Sequence, residues 1–265
     1  MLRRGRRQPR QAGGEGPGPS ELLSYDVVGP PGDRHVVLRL ALGRSALADA
    51  GALAYCDGAV KLDTQAGRAT GFIGRAFAGE SAFQNMYTGT SESVRQAVAL
   101  SPTLPGDVVS FDLAAGQALK LSRGAFLVGS PGVRVTGAFN WRGLLGVGQQ
   151  EGAFLSKVLA PDDAPAHVVA SGFGIVERHD VPEGASFIVN NERFFACDAG
   201  VQYELSSIGG VKSFLFGGEG FVMKFRGPCV VWTQSRGPAQ FAAALGEYLP
   251  KSGGNGPSWG GEKKK

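Results

Sequence analysis

The chain has 265 residues, 43% hydrophobic and 19% charged, with 42 glycines; this suits a globular chain with a buried core, and without a collagen period so much glycine means many turns. The net charge of +4 belongs to the ends: residues 1–20 hold five Arg and one Glu, and residues 251–265 hold four Lys and one Glu, which leaves −3 for the body, so the high pI says nothing about a basic binding face on the folded part. Three widely spaced cysteines, Cys56, Cys197 and Cys229, with no CxxC pair, argue against a disulfide framework, and no apolar run has the length of a bilayer span.

In chain order, residues 1–23 come first, rich in Arg, Gly, Pro and Gln and without apolar periodicity, the composition of a disordered segment. The stretch is free of acid until Glu15, a feature of organellar transit peptides. Then one pattern appears three times. Gly43 opens GRSALADAGALAYCDGAVKL, Gly116 opens GQALKLSRGAFLVGSPGVRV, and Gly184 opens GASFIVNNERFFACDAGVQY. Each copy reads glycine, short strand, a turn at the eighth residue (Gly51, Gly124, Glu192), a second strand, another glycine (Gly58, Gly132, Gly200) and a third strand. Each then runs through a glycine-containing connection to a glutamate: Glu80, Glu151 and Glu219. Register kept over such distances marks an internal repeat. Alternating or clustered β-branched and aromatic residues, punctuated by Gly, Pro, Asp and Asn, make the segments strands. The prediction is an all-β fold over 24–250, with modules over about 24–105, 106–180 and 181–250. One helix is expected, over 238–249: Phe241, Leu245 and Leu249 share a face, and Pro238 suits a first turn. Residues 251–265 read as a flexible basic tail.

Chemistry is sparse. The glutamates at equivalent places in three repeats point to one structural job done three times, accepting backbone N–H bonds in a turn, rather than to a general base. His35, His167 and His179 have no partners at metal-ligand spacing and read as surface or loop residues. Cys56 and Cys197 occupy one repeat position, where the second copy has Gly129, so the position wants a small side chain. Cys229 precedes an apolar strand and is expected in the core. The one G-x-S-x-G string surrounds Ser258 in the tail, without the strand and helix of a nucleophile elbow. Met223-Lys224-Phe225-Arg226 is a single basic–aromatic alternation, too little for a nucleic-acid surface. No catalytic, cofactor or metal residue is assigned; Gly43, Gly116, Gly184, Glu80, Glu151 and Glu219 are structural repeat positions.

GALAYCDGAVKLDT, GES followed by AF, LSPTLPGDVV, RGAFLVGSPGVRV, GGVKSFLFGGEGFVMKFRGP and VWTQSR resemble the altered-inheritance-of-mitochondria family, over roughly residues 24–246. The resemblance implies three β-sandwich modules per chain, like those of the tryptophan RNA-binding attenuator protein, in homotrimers that form a pseudo-ninefold ring. It implies a mitochondrial role in inner-membrane organisation and no known enzymatic activity. The chain is therefore expected to be a non-catalytic scaffold with membrane-associated protein partners, in mitochondria or else in the cytoplasm. The competing reading is a ring that binds a small molecule or RNA between modules.

Overall fold

The computed structural model describes residues 22–66, 83–138, 155–207 and 221–248. Within them the chain is all-β with one short helix, as the sequence predicts. It opens with β1 (Tyr25–Val28) and runs through three runs of six strands. The first holds β2 (His35–Leu40), β3 (Ser45–Asp49), β4 (Leu53–Cys56), β5 (Lys61–Ala66), β6 (Phe83–Thr88) and β7 (Gln96–Leu100). The second holds β8 (Val108–Leu113), β9 (Ala118–Ser122), β10 (Phe126–Gly129), β11 (Arg134–Ala138), β12 (Leu155–Leu159) and β13 (Ala166–Ser171). The third holds β14 (Val176–Val181), β15 (Ser186–Asn190), β16 (Phe194–Asp198), β17 (Tyr203–Ser207), β18 (Phe221–Arg226) and β19 (Cys229–Gln234). Helix α1 (Pro238–Gly246) follows.

The antiparallel ladders recur from run to run. The first strand of each pairs with the sixth, in β2·β7, β8·β13 and β14·β19. The second pairs with the fifth, in β3·β6, β9·β12 and β15·β18. The fourth pairs with the fifth, in β5·β6, β11·β12 and β17·β18. The third pairs with the sixth, and each of these ladders shifts register at the same place: between Leu53 and Tyr55, Phe126 and Val128, Phe194 and Ala196. A bulge so placed bends the strand out of its own ladder. On its far side β10 pairs with β3, and β16 with β9, so neighbouring runs share sheets. Two six-stranded sheets result, β5-β6-β3-β10-β13-β8 and β11-β12-β9-β16-β19-β14. The chain ends supply two smaller ones, β1-β2-β7-β4 and β15-β18-β17.

Three apolar clusters fill the gaps between facing sheets. The sharing of sheets explains the composition of the third and sixth strands. Phe195, Ala196, Val230 and Trp232 face the middle cluster, while Cys197, Cys229 and Val231 face the last. A strand covered on both faces reads as a continuous apolar run rather than an alternation, and CVVW in β19 is such a run. Trp232, fully buried, meets Phe111 edge-on at 5.1 Å between ring centroids.

The turns fix the frame. Gly43, Gly116 and Gly184 have φ of 69°, 68° and 77°, each two residues before its strand; this left-handed conformation costs an L-residue about 1–2 kcal/mol. Gly51 and Gly124 are also left-handed, but the third copy has Glu192 in their place. There the chain forms a 3-10 turn over Asn191–Arg193 instead, with the Asn190 side chain accepting the Glu192 N–H at 2.9 Å. The connections between runs lie side by side: Gly106 bridges Gly174 in parallel, and the Asp107 carboxylate accepts the N–H groups of Gly32 and Val176.

Helix α1 is shorter than the expected 238–249, and none of its residues is buried. Phe241 packs edge-on against Phe173, with 5.0 Å between centroids, but Leu245 is 46% exposed. The apolar stripe read from the sequence is therefore one anchor, not a core face. Leu249 lies outside the described residues.

Candidate functional site

Of the predicted repeat positions, Gly43, Gly116 and Gly184 sit at the left-handed turns just described. Glu80, Glu151 and Glu219 lie outside the described residues, as does Ser258. Among the described residues there is no cluster of three or more His, Cys, Asp or Glu that could hold a metal ion, and no helix long and apolar enough to cross a membrane.

Cys197 and Cys229 are buried, the latter as the sequence predicts, while Cys56 is exposed. Burial pushes the Cys197 thiol up to about 12, so it stays protonated and inert at neutral pH.

One histidine departs from the surface expectation. His167 is 2% exposed, because it sits in β13 where the second run packs against the first. Its Nδ1 lies 2.6 Å from Asp112 and its Nε2 3.1 Å from the Tyr25 hydroxyl. Its backbone N–H donates to Ser130 Oγ at 2.8 Å. Burial pushes the Tyr25 phenol up to about 12, with a Ser110 hydrogen bond opposing and the Asp112 charge adding. A phenol held that high is protonated at neutral pH, the wrong form for a base or nucleophile. The three side chains latch β1 onto β8 and β13. No spacing rule could have found the latch, because its members lie 55 to 142 residues apart in sequence.

The surface feature that stands out is a pair of sheet edges. Among the described residues, four sheets give eight terminal strands: β1, β4, β5, β8, β11, β14, β15 and β17. Proteins blunt such edges with charge, and six of these strands carry it: Asp26, Lys61 with Asp63, Asp112, Arg134, Glu177 through Asp180, and Glu204. Only β4, LAYC, and β15, SFIVN, have none. Both show apolar side chains to solvent: Leu53 is 39%, Tyr55 55% and Ile188 55% exposed.

The equivalent strands elsewhere are not like this. Every residue of β10 is buried, and so are Phe194 to Cys197 of β16, whereas every residue of β4 is exposed. Likewise β3 buries Ala46, Leu47 and Ala48, while β15 buries Val189 alone. The sequence contains these edges as uncharged strands, but the alternation that predicts a strand says nothing of which neighbour it lacks.

The profile of the mitochondrial biogenesis AIM24 family matches residues 25–236. An uncharacterised protein of Streptococcus pyogenes serotype M6 is 28% identical over 229 residues, covering 82% of this chain and 87% of that protein. A Streptococcus pyogenes protein known from its crystal structure shares the fold, with a TM-score of 0.66 at 24% identity over 86% of this chain and all of that one. The chain belongs to the mitochondrial biogenesis AIM24 family.

Proposed function

We propose that this family member is a non-catalytic scaffold: three β modules per chain, arisen by internal triplication, three chains joined head to tail in a closed ring, serving mitochondrial inner-membrane organisation through membrane-associated protein partners. The recurrence of the four ladders in three runs of strands supports the triplication. One observation carries the assembly. Each six-stranded sheet joins the second, fourth and fifth strands of one run to the first, third and sixth of the next, and the chain ends hold the two unjoined halves, β15-β18-β17 and β2-β7-β4 with β1 added. Such halves on identical chains are a heterologous interface, which makes a ring when the rotation closes. Family membership supports the mitochondrial setting.

Light scattering on the purified chain is expected to give three times its mass of 27.5 kDa; a stable monomer at micromolar concentration overturns the ring. A full-length fluorescent fusion is expected in mitochondria, and diffuse cytosolic signal removes that part of the reading.

A further inference from the structure

The geometry points to a defined strand addition between copies: β4 of one chain docks antiparallel on β15 of the next, with Tyr55 facing Val189, Cys56 facing Ile188 and Asp57 facing Phe187. This rests on the oligomeric reading above and specifies which surfaces meet and in which register.

The register comes from the two junctions inside the chain. Counted from Gly51, Gly124 and Glu192, the residues four on are Tyr55, Val128 and Ala196, and five on are Cys56, Gly129 and Cys197. Counted from Gly43, Gly116 and Gly184, the residues four on are Leu47, Lys120 and Ile188, and five on are Ala48, Leu121 and Val189. At the first junction Val128 faces Ala48 and Gly129 faces Leu47. At the second, Ala196 faces Leu121, Cys197 faces Lys120 and Asp198 faces Leu119. The two junctions agree position for position, and carrying their register to β4 and β15 gives the pairing stated.

The cores give a second, independent argument. The first apolar cluster is closed by Leu127 and Val128 from the following run, and the middle one by Phe195 and Ala196. Among the described residues the last cluster receives no side chain from a following run, and Phe187 and Leu205 stay only partly buried at its side. The residues at the closing positions of the first run are Ala54 and Tyr55, both exposed. Tyr55 of the next copy thus caps the open core, while its own strand gains the ladder it lacks. The equivalent position at both internal junctions holds a small residue, Gly129 or Cys197, where a Cβ on Gly129 would lie 3.3 Å from the Val133 side chain, and Cys56 is small.

The pairing is tested on the full chain with Ile188→Cys. Directly opposed residues in an antiparallel pair have Cα atoms about 4.5–5.5 Å apart, inside the disulfide window. Under mild oxidation with diamide the introduced thiol and native Cys56 should join chains into a covalent three-chain species on a non-reducing gel, while Ser186→Cys, two residues out of register, should not. Tyr55→Asp, at a position exposed in the single chain, should keep the β circular dichroism spectrum and shift the mass to monomer. Cross-linking through Ser186→Cys instead overturns the register. A trimer that neither variant cross-links, and that Tyr55→Asp leaves intact, overturns the β4–β15 pairing while sparing the oligomer. A monomeric parent protein overturns both.

Discussion

Tyr25 and Cys197 make the fold sensitive to alkali. Both have folded values raised to about 12 by burial, from ordinary values of 10.0 and 9.0. An acid whose folded value is raised binds its proton more tightly in the native state, so its contribution is complete below the unfolded value and is lost as pH rises through the folded one. Stability should therefore hold to about pH 9 and fall between pH 9 and 12. At about 1.4 kcal/mol per unit, Tyr25 accounts for on the order of 2–3 kcal/mol of that loss. Tyr25→Phe should cost about 1–3 kcal/mol at neutral pH, by leaving the buried His167 Nε2 without its partner, and should flatten the fall above pH 10. Urea midpoints at a series of pH values check this; a variant that loses stability above pH 10 as steeply as the parent shows that the phenol is not responsible.

Among the elements, the turns make the cleanest comparison. Ala at Gly43, Gly116 or Gly184 meets open space or, at Gly116, only Asp162 Oδ1 at 3.9 Å, so each change carries the backbone cost alone. The three substitutions should destabilise by similar amounts, about 1–2 kcal/mol. Gly106 has no unusual φ, yet a Cβ there would lie 1.6 Å from the Gly172 carbonyl oxygen. Gly106→Ala must push the connections between runs apart and should cost more than any of the three. Thermal midpoints of the four variants decide, and a Gly106→Ala midpoint equal to the others would show that the connections yield easily. The turn glycines were legible in the sequence because a left-handed turn restricts residue type locally. Strand alternation was legible for the same reason. The sharing of sheets was not, since an apolar run such as CVVW shows that both faces are covered but not by which strand, and the bulges at Ala54, Leu127 and Phe195 that set the neighbour carry no residue signature. Nor was the burial of His167, whose partners come from β1 and β8. The periodic stripe of Phe241 and Leu245 overstates the length of helix α1, because among the described residues its ring contact is with Phe173 alone.

At the scale of the whole molecule, the recurring ladders leave two described sheets, β1-β2-β7-β4 and β15-β18-β17, that are smaller than the six-stranded ones. Their edges at β4 and β15 are apolar and uncharged, whereas edges such as β14, with Glu177, Arg178 and Asp180, are charged against further pairing. Fully burying a side chain such as Leu53 or Ile188 is worth about 1.5–3 kcal/mol against leaving it exposed, so a lone chain forgoes several such gains. The proposed association would stabilise by mass action, with the population of open edges falling as concentration rises. Cys56 is the probe for that association, for it is exposed in the single chain while its counterpart Cys197, inside a six-stranded sheet, is buried. With a chromogenic thiol reagent, native protein should show one fast-reacting thiol per chain when dilute and progressively less as concentration rises. Tyr55→Asp should restore the fast thiol at every concentration, and unfolding in guanidinium should release all three. One fast thiol per chain in the parent protein at all concentrations would mean that β4 never acquires a neighbour, and the periodic reading of the molecule would end at its own termini.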